Sequence, residues 1–600
     1  MRKSSAITAL LLFFTVSFAQ KTDKRFAGLD TTLNRILKDW KAAGFAVAVI
    51  EKDKIVYSKG VGFRNIEKKL PVTTNTLFAI GSCTKAFTAS LIGLLEKDDK
   101  IEYDKPVRNY FPELKFYNDA MDNLITIRDM MCHRTGLPRH DFSWYMFPTT
   151  RDSLIYRIRF LEPTASVREK WQYNNFMFTA QGVVAEKLFG KKWEQLIKEK
   201  IFDSLDMKRS VFSVEDMAKN NDAATGYYVK KDSIIEKMDY YNIDAMGPAG
   251  SINSSVNEMA NWVIAWINGG KYKGREVLPP QYIAEAISSQ MVSAGGLPDK
   301  ENPDIHFSTY GFGWSMTSYR GHYRVQHGGN IDGFSAMTCF FPSDSIGIVV
   351  LTNQNGSALP GIVKNIIADR MLNISRKDWN GIQLKADAEA KKEAKETEKN
   401  KTASEKKYGP QTHTTKDYEG LYSNPGYGTI DITAKGDSLF IYTKNANYWL
   451  KHSTYDIFNL YGIDKKNGID TTEGSGTAIQ FVMNKMGEIQ ALETELQFGL
   501  KPFRFERSPK PVAVEGLNLK KYEGEYELGG MVAKVYIKNE NVLYVFVPGQ
   551  PEYETVPVGN GEFRLKSLSG YSMKFLEDEK GKVIAANFIQ PNGTFKATKK

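Results

Sequence analysis

The chain has 600 residues, 42% hydrophobic and 12% aromatic, so we expect a globular protein of several domains. The net charge of +10 comes from 80 basic residues scattered among 70 acidic ones, with no long basic run between aromatics, which argues against nucleic-acid binding. Three cysteines are too few for a disulfide framework, and seven histidines without an HExxH or CxxC pattern indicate neither a metal site nor another cofactor.

Residues 1–19 are typical of a secretory signal. Arg2 and Lys3 supply the positive charge, residues 6–18 are apolar and slightly too short to span a bilayer, and Ser17-Phe18-Ala19 offers a small-x-small cleavage site. An N-terminal anchor helix is the alternative. No later segment is long and apolar enough for a membrane helix. The mature chain is therefore predicted to be exported, periplasmic or secreted, without a membrane span.

Residues 20–380 alternate strand-like and helix-like segments and are predicted to form one domain. Residues 45–50 are a continuous apolar run rich in β-branched side chains, typical of a buried strand. Residues 82–97 are apolar almost all round, which predicts a helix buried on most faces. The pattern indicates an α/β or α+β domain. The other segments with clear character are strands at 55–57, 335–341 and 346–352 and helices at 176–189 and 256–267.

A charged linker is predicted for residues 381–412. Within it, residues 385–407 consist mostly of Lys, Glu and Ala, with no aromatic side chain and little aliphatic surface to bury. The composition has helix propensity but no apolar stripe, so we expect an exposed, partly helical connection.

A sequence repeat marks the C-terminal part of the chain. Asp417-Tyr-Glu-Gly-Leu-Tyr422 recurs as Lys521-Tyr-Glu-Gly-Glu-Tyr526, and each copy opens a series of short alternating strands. The spacing of about 100 residues is too long for a solenoid repeat. We therefore predict two small all-β domains, barrels or sandwiches, at residues 413–510 and 514–600.

Ser82 and Lys85 form the first of three short motifs with catalytic potential. On a helix, this spacing puts both side chains on one face, a turn apart. A serine hydroxyl needs a base in contact, and a lysine can be that base when burial lowers the pKa of its ammonium group. The apolar helix around both residues favours such burial. At a helix start, the backbone N–H of Ser82 is also free to bind an oxyanion.

Spacing alone is weak evidence, because Ser404 and Lys407 in the charged linker have the same separation. The alternative role for Ser82 is a helix cap. Cys83 beside it is expected to be a small buried residue rather than the nucleophile. No Gly-x-Ser-x-Gly elbow is present, which argues against an α/β-hydrolase.

Tyr173 and Asn175 form the second motif. A tyrosine hydroxyl near Ser82 and Lys85 can shuttle a proton to the leaving group, and an asparagine amide can hydrogen-bond both the lysine and a substrate amide. The alternative for Asn175 is a helix N-cap. The sequence Tyr240-Tyr-Asn242 matches the same pattern, so this motif also depends on its context.

His327-Gly328-Gly329 is the third motif, and it lies at the end of a strand-like run and leads into Asn330. Two glycines let the backbone approach a ligand closely. A strand edge at this point can donate an N–H to an oxyanion and pair with an extended substrate. The alternative is a glycine-rich turn that carries a surface histidine.

In this order and context, the three motifs resemble those of the serine β-lactamase and penicillin-binding-protein superfamily. The resemblance is closest to its class C-like branch, which includes D-aminopeptidases, DD-peptidases and esterases. It covers roughly residues 25–375 and includes the stretches 127–137, 248–252 and 310–314. It implies an α+β fold, with an antiparallel sheet flanked by helices and a helical subdomain.

The resemblance also implies a role for each motif residue. Ser82 would be acylated, Lys85 and Tyr173 would share the proton transfers, and the backbone N–H groups of Ser82 and Asn330 would form the oxyanion hole. The residues implied in substrate binding are Asn175, His327, Gly328 and Gly329.

The third motif departs from the usual pattern of the superfamily. The β-lactamase and penicillin-binding branches usually have lysine where this chain has His327, and that lysine is a fixed positive charge for the substrate carboxylate. Histidine is shorter and mostly neutral near pH 7. Variants with His-x-Gly are familiar among aminopeptidases and esterases of the superfamily. The substitution therefore shifts the expected substrates from β-lactams towards peptides and esters.

The charged linker and the two β domains resemble hydrolases of this superfamily with lipocalin-like C-terminal domains. In some relatives such a domain reaches into the active site, while the alternative is a passive or oligomerising appendage. A homo-oligomer is therefore left open.

Three functions follow from these patterns. The leading one is an exported serine hydrolase that forms an acyl-enzyme on Ser82 and acts on a small-molecule or peptide substrate: a small peptide, an amide or an ester. The alternatives are a true class C-like β-lactamase and, in a different class, a non-catalytic penicillin-binding or sensor protein.

Overall fold

The computed structural model describes residues 23–298, 300, 303–403, 409–443, 446–464, 468–508, 510, 518–538, 541–566, 571–590 and 593–600. The signal sequence predicted for residues 1–19 and the second Ser-x-x-Lys pattern at 404–407 lie outside the described residues.

The N-terminal part of the chain combines helices with a large antiparallel sheet. The helices are α1 (Leu29–Asp39), α2 (Thr84–Lys97), α3 (Asp119–Leu124), α4 (Ile127–Met131), α5 (Phe142–Tyr145), α6 (Arg151–Arg157), α7 (Asn175–Phe189), α8 (Trp193–Ile197), α9 (Val214–Ala218), α10 (Gly247–Gly250), α11 (Val256–Ile267), α12 (Pro280–Ala286), α13 (Leu359–Met371) and α14 (Trp379–Ala403). The strands are β1 (Gly44–Glu51), β2 (Lys54–Asn65), β3 (Leu70–Pro71), β4 (Phe78–Ala79), β5 (Tyr227–Lys230), β6 (Ile234–Lys237), β7 (Asn253–Ser254), β8 (Lys271–Tyr272), β9 (Arg275–Glu276), β10 (Met291–Gly295), β11 (Phe307–Tyr310), β12 (Ser315–Tyr319), β13 (His322–Ile331), β14 (Phe334–Phe341) and β15 (Ile346–Thr352).

The main sheet has nine strands in the order β10-β11-β12-β13-β14-β15-β1-β2-β3. Its centre is buried on both faces, because alternate residues of β1 belong to different cores: Ala46 and Ala48 to one, Val47 and Val49 to the other. This explains the unbroken apolar run of β1, since neither face is exposed to solvent. Helices α1 and α13 cover one face, and α2 and α11 belong to the core on the opposite face.

Helix α2 lies at the centre of the larger core. Its residues from Thr84 to Gly93 are all buried, so polar contacts of this helix must be made within the protein. Phe87 stacks on Trp262 with ring centroids 4.0 Å apart, and Gly93 lets the Tyr282 ring pack directly on the helix backbone. The helix is thus held on all sides, which fixes the residues at its start.

Two closed eight-stranded antiparallel barrels follow, and with the first domain they confirm the predicted fold class. The first barrel comprises β16 (Gly420–Asn424), β17 (Gly428–Lys435), β18 (Ser438–Tyr442), β19 (Asn447–Thr454), β20 (Ile457–Asp464), β21 (Gly468–Met483), β22 (Ile489–Thr494) and β23 (Phe503–Ser508). The second comprises β24 (Gly524–Leu528), β25 (Met531–Lys538), β26 (Val542–Phe546), β27 (Tyr553–Gly559), β28 (Glu562–Leu565), β29 (Ser572–Glu577), β30 (Val583–Gln590) and β31 (Gly593–Lys599).

The sequence repeat has the same structural role in both barrels. The Tyr422 hydroxyl donates to the Tyr418 backbone oxygen over 2.7 Å, and Tyr526 donates to Tyr522 over the same distance. The buried residues of the first barrel join the larger core of the N-terminal domain, whereas those of the second form a cluster of their own.

Helix α14 leads out of the N-terminal domain into the predicted linker. Its start is anchored, because Trp379 Nε1 donates to Asp369 Oδ2 over 2.8 Å. Residues 385–397 are exposed or half-buried, as a sequence without an apolar stripe requires. In the part of the chain that the structure describes, no helix has both the length and the apolar character needed to cross a membrane.

Candidate active site

Ser82 lies in a tight turn directly before the central helix. The turn is a short 3-10 helix, Gly81–Cys83, and α2 begins at Thr84. Lys85 therefore follows one helical turn later, and its Nζ lies 3.0 Å from Ser82 Oγ. The N-cap position of α2 is occupied by Cys83, without a side-chain cap. The Ser82 side chain thus faces Lys85 instead of capping the helix.

The Lys85 amine is held by two carbonyl groups. Its Nζ lies 2.7 Å from Asn175 Oδ1 and 2.8 Å from the backbone oxygen of Ala249. Lys85 is fully buried, and this burial, together with the nearby Arg139 guanidinium, holds the pKa of Lys85 well below its ordinary value. A neutral amine has two N–H bonds and one lone pair. When both N–H groups donate to these carbonyls, the lone pair is left to accept the Ser82 proton.

Asn175 is oriented by a carboxylate on the far side of its amide. Helix α7 begins at Asn175, and its N-cap is Asn174, whose side chain accepts the Met177 N–H. The capping role considered for Asn175 is therefore taken by its neighbour. The Asn175 Nδ2 donates to Asp141 Oδ1 over 2.9 Å, which turns the amide oxygen towards Lys85.

Tyr173 is a second side chain in contact with Ser82. Its hydroxyl hydrogen-bonds the Ser82 side chain, and burial raises the pKa of Tyr173 well above its ordinary value. The ring packs against His133, with centroids 4.4 Å apart, and lies 4.8 Å from the Arg139 guanidinium carbon. Because the hydroxyl keeps its proton at neutral pH, Tyr173 is suited to donate a proton, whereas Lys85 is suited to accept one.

Two glycines bring β13 against the Ser82 turn. A Cβ at Gly329 would lie 1.9 Å from the Ile80 carbonyl oxygen and 3.2 Å from Ser82 N. Gly81 has φ of +50°, and a Cβ there would lie 2.8 Å from Asn330 N. Only glycine permits so close an approach. The backbone N–H groups of Ser82 and Asn330 are consequently close together beside Ser82 Oγ, where two such donors can bind an oxyanion.

His327 is buried, and both of its ring nitrogens are already in hydrogen bonds. Nδ1 lies 2.7 Å from the Gly328 carbonyl oxygen, which can only accept, so Nδ1 carries the proton. Nε2 then accepts the Tyr310 hydroxyl over 2.9 Å. Burial lowers the pKa of His327 to about 3. This side chain is therefore neutral near pH 7 and offers no positive charge to a substrate.

A cavity of about 360 Å³ opens over Ser82. One wall is the segment 139–145, which contributes charged and aromatic side chains, and the end of β13 also lines the cavity. Asp141 in this wall accepts from Trp144 Nε1 over 2.8 Å and pairs with Arg139 over 2.6 Å. The lining residues are Gly81, Ser82, Arg139, Asp141, Phe142, Trp144, Tyr145, Asn175, Met238, Ile243, Met246, Ala249, Gly250, Asn330, Ile331, Asp332 and Asn355.

The first barrel packs against the back of this wall. His140 Nε2 donates to the Glu162 carbonyl over 2.9 Å, so its Nδ1 accepts the Tyr427 hydroxyl over 2.8 Å. The Ser143 hydroxyl donates to the Gly426 carbonyl over 2.6 Å. The barrel thereby holds the segment that carries Asp141. None of its described residues lines the cavity itself.

The remaining candidates from the sequence have ordinary structural partners. The Tyr240 hydroxyl donates to Asn253 Oδ1 over 2.9 Å, and Asn242 bonds Glu215. Cys83 is buried, and burial raises the pKa of its thiol to about 11, so the thiol stays protonated near pH 7. The described residues contain no group of three or more His, Cys, Asp or Glu side chains that could hold a metal ion.

Three participants in this site were not identified from the sequence. Asp141 lies in no recognisable motif, and Ala249 contributes only a backbone oxygen, which leaves no trace in residue identity. Tyr310 falls within the stretch 310–314 that supported the resemblance, but that stretch did not indicate its bond to His327. The aromatic side chain next to a Gly-x-Gly pattern was the available signal.

Comparisons with known proteins agree with this fold. The family model described as Beta-lactamase matches residues 29–369, and a model described as Domain of unknown function (DUF3471) matches residues 404–507. The unguisins hydrolase ungD' of Aspergillus campestris (strain IBT 28561) is 30% identical over 381 residues, which cover 60% of this chain and 69% of that protein. Protein flp of Staphylococcus aureus (strain MW2) is 23% identical over 343 residues, which cover 56% of this chain and 65% of that protein.

The octameric penicillin-binding protein homologue from Pyrococcus abyssi has a similar structure. It superposes with a TM-score of 0.53 at 21% identity, over 80% of this chain and 99% of that chain. Sheet, site and relatives together define a serine hydrolase of the β-lactamase and penicillin-binding-protein type. The chain belongs to the beta-lactamase family, whose model spans more than half of its length. The resemblance inferred from the three motifs is confirmed.

Proposed function

We propose that this protein is an exported serine hydrolase that forms an acyl-enzyme on Ser82 and cleaves small peptides, amides or esters. The observation that carries the proposal is the position of the Lys85 amine. Asn175 Oδ1 and Ala249 O take its two N–H bonds, and its lone pair is left for the Ser82 hydroxyl 3.0 Å away. A buried amine held in this way can act as the general base for Ser82.

The proposed reaction has two halves. Ser82 Oγ attacks the substrate carbonyl carbon while its proton moves to Lys85 Nζ, and the Ser82 and Asn330 N–H groups bind the resulting oxyanion. The Tyr173 hydroxyl protonates the leaving amine or alcohol and regains a proton from Lys85, so the bond to the leaving group breaks and the serine ester remains. Water then attacks the ester with the same groups in reverse order, which releases the acid and restores Ser82.

The charge at the third motif supports peptides and esters over β-lactams. A neutral His327, engaged at both nitrogens, cannot hold a substrate carboxylate as a lysine would. Arg139 is a cation in the cavity wall, but Asp141 pairs with it at 2.6 Å. A β-lactamase with efficient turnover of carboxylate-bearing drugs is the competing function, and a chromogenic cephalosporin separates the two.

Export and self-association belong to the same proposal. The sequence pattern at residues 1–19 supports export to the periplasm or beyond. The relative from Pyrococcus abyssi is described as octameric, which supports a test for a homo-oligomer by sedimentation.

The test is covalent labelling of Ser82 and turnover of nitrophenyl esters and aminoacyl anilides. We expect Ser82→Ala to lose labelling by a fluorophosphonate and to lower kcat at least about 1,000-fold, because the nucleophile is gone. Lys85→Met should lower kcat by about 100-fold or more, because the general base is lost.

The matched control is Cys83→Ala, which changes the neighbouring side chain and should keep both labelling and turnover. Unchanged turnover in the Ser82→Ala variant would overturn the proposal. Labelling of wild-type Ser82 without any product would instead favour a penicillin-binding or sensor protein.

A further inference from the structure

Asp332 is a buried carboxylate in the wall of the Ser82 cavity. It follows β13 in the two-residue turn Asp332-Gly333, which leads into β14. The residue is 6% exposed and lines the cavity together with Ser82 and Asn330. An aspartate in a hairpin turn is ordinarily exposed, so burial of this one requires an explanation.

The carboxylate has fewer partners than its burial demands. Its Oδ1 accepts the Tyr145 hydroxyl over 2.7 Å, and the backbone of Tyr241 lies close enough to favour the charged form. Within the described residues, its Oδ2 is buried and has no hydrogen-bond partner, and no basic side chain is among the groups that act on its charge. Burial accordingly raises the pKa of Asp332. A buried carboxylate without a cation is unfavourable unless a ligand supplies the cation.

Asp141, the other carboxylate that lines the cavity, has all the partners that Asp332 lacks. Asp141 pairs with Arg139 and accepts hydrogen bonds from Asn175 and Trp144, so its charge is compensated within the protein. The uncompensated negative charge of the cavity therefore sits at Asp332, whose Oδ1 accepts the Tyr145 hydroxyl. A carboxylate without a cation attracts an ammonium group.

The position along β13 indicates which part of a substrate meets this charge. Asp332 lies two residues beyond Asn330, in the turn that follows β13, so the Cα atoms of the two residues are at most about 7 Å apart. An acyl group whose carbonyl oxygen is bound at the Asn330 N–H carries its α-amino group two bonds from the carbonyl carbon. One hydrogen bond of about 2.9 Å at each end of such an aminoacyl group spans that separation.

From this geometry we infer that Asp332 binds the free α-ammonium group of the substrate residue that acylates Ser82. The substrate class is then aminoacyl amides, aminoacyl esters and peptides cut after an unblocked first residue, and N-acylated analogues are poor substrates. The inference rests on the proposed function and narrows it, because it specifies the charge next to the scissile carbonyl.

The experiment compares an alanine p-nitroanilide with a free amino group and its N-acetyl derivative, each in both stereochemical forms. For the wild-type protein we expect kcat/KM to be at least about 10-fold higher for the free amine. Asp332→Asn keeps the size of the side chain but removes the charge, and it should lower kcat/KM for the free amine by about 10- to 100-fold. The value for the N-acetyl substrate should change less than about twofold.

Asp344→Asn is the matched control. Asp344 follows β14 in the next turn and pairs with His322 at 3.0 Å, so its loss should leave both substrates unaffected. The rate of fluorophosphonate labelling of Ser82, which uses an uncharged probe, should be the same in the wild type and the Asp332→Asn variant. Equal losses for both substrates would show a structural role for Asp332 and overturn the inference.

Wild-type protein provides a second measurement that does not depend on a variant. Alaninamide should protect Ser82 from fluorophosphonate labelling at lower concentration than N-acetylalaninamide, by about 10-fold or more. Equal protection by the two compounds overturns the inference. Failure of the probe to label Ser82 at all contradicts the proposed function instead, so the two failures are distinguishable.

Discussion

Gly329 and Gly328 are neighbours in β13, but they meet very different surroundings. A Cβ at Gly329 would lie 1.9 Å from the Ile80 oxygen, whereas a Cβ at Gly328 would meet its nearest atoms at 3.7 Å, an ordinary contact. An alanine at Gly329 must therefore displace the Ser82 turn, whereas an alanine at Gly328 need not.

We expect Gly329→Ala to lower kcat/KM by about 100-fold or more, because separation of β13 from the Ser82 turn moves one oxyanion donor out of reach. Gly328→Ala is the control and should stay within a few-fold of wild type. The measurement is ester hydrolysis together with the melting temperature of both variants. Similar activities of the two variants would contradict this account of the oxyanion site.

At the residue scale, the sequence indicated the groups that act through their side chains, because their motifs follow one another in an order known from the superfamily. Ser82, Lys85, Tyr173 and Asn175 were predicted, and the structure places them together. Ala249, which accepts a hydrogen bond from Lys85, was not predicted, because it acts through a backbone carbonyl that every residue has. Asp141 could not be predicted either, since its role depends on a tertiary contact with Asn175 and not on a spacing.

At the scale of elements, the hairpin between β16 and β17 joins the first barrel to the active-site wall. Tyr427 in this hairpin donates to buried His140, one residue before Asp141. The neutral ring of His140 accepts this bond, and burial lowers the pKa of His140 to about 4. The contact thus depends on an imidazole that stays neutral at ordinary pH.

Tyr427→Phe should lower the free energy of unfolding by about 1–3 kcal/mol, because His140 Nδ1 is left buried without a donor. The loosened wall should also raise KM, because residues of the segment 139–145 line the cavity. Urea unfolding and steady-state kinetics measure the two effects.

The control variant is Tyr526→Phe, which removes a buried hydroxyl with a bond of the same kind inside the second barrel. We expect a comparable loss of stability there with an unchanged KM. An equal rise in KM for both variants would show that the effect does not pass through the wall.

Long apolar runs predicted the buried elements well. The predicted strand at 45–50 is β1, and the predicted helix at 176–189 is α7, because burial leaves a strong pattern in composition. Short edge strands such as β10 and β3 were not predicted. They are half exposed and carry no continuous apolar pattern, so their pairing is decided by neighbours in the sheet.

At the scale of the whole molecule, the buried residues indicate two units that differ from the three sequence domains. The first barrel shares a core with the N-terminal domain, whereas the second barrel has a separate one. This arrangement could not be predicted, because the contact between His140 and Tyr427 joins residues 287 positions apart with no local signal.

We therefore expect a chain that ends at Lys510 to fold and to keep its labelling of Ser82 and its esterase activity. A chain that ends at residue 408 should lose both, because the wall at 139–145 and the core beneath it become exposed. Calorimetry of the full chain should resolve two transitions, and the smaller one should be absent from the chain that ends at Lys510. Loss of activity in the chain that ends at Lys510 would contradict the division of the molecule into these two units.

The first hairpins of the two barrels differ by one residue. The turn of the first barrel has three residues, 425–427, and includes Tyr427, whereas the corresponding turn of the second has only Gly529 and Gly530. In evolutionary terms, the two barrels are copies of one module under different constraints. The first barrel must keep its surface matched to the catalytic domain, whereas the second is released from that constraint. We expect substitutions among homologues to spare the longer hairpin and to accumulate on the surface of the second barrel, where a new specificity can arise without loss of the hydrolase.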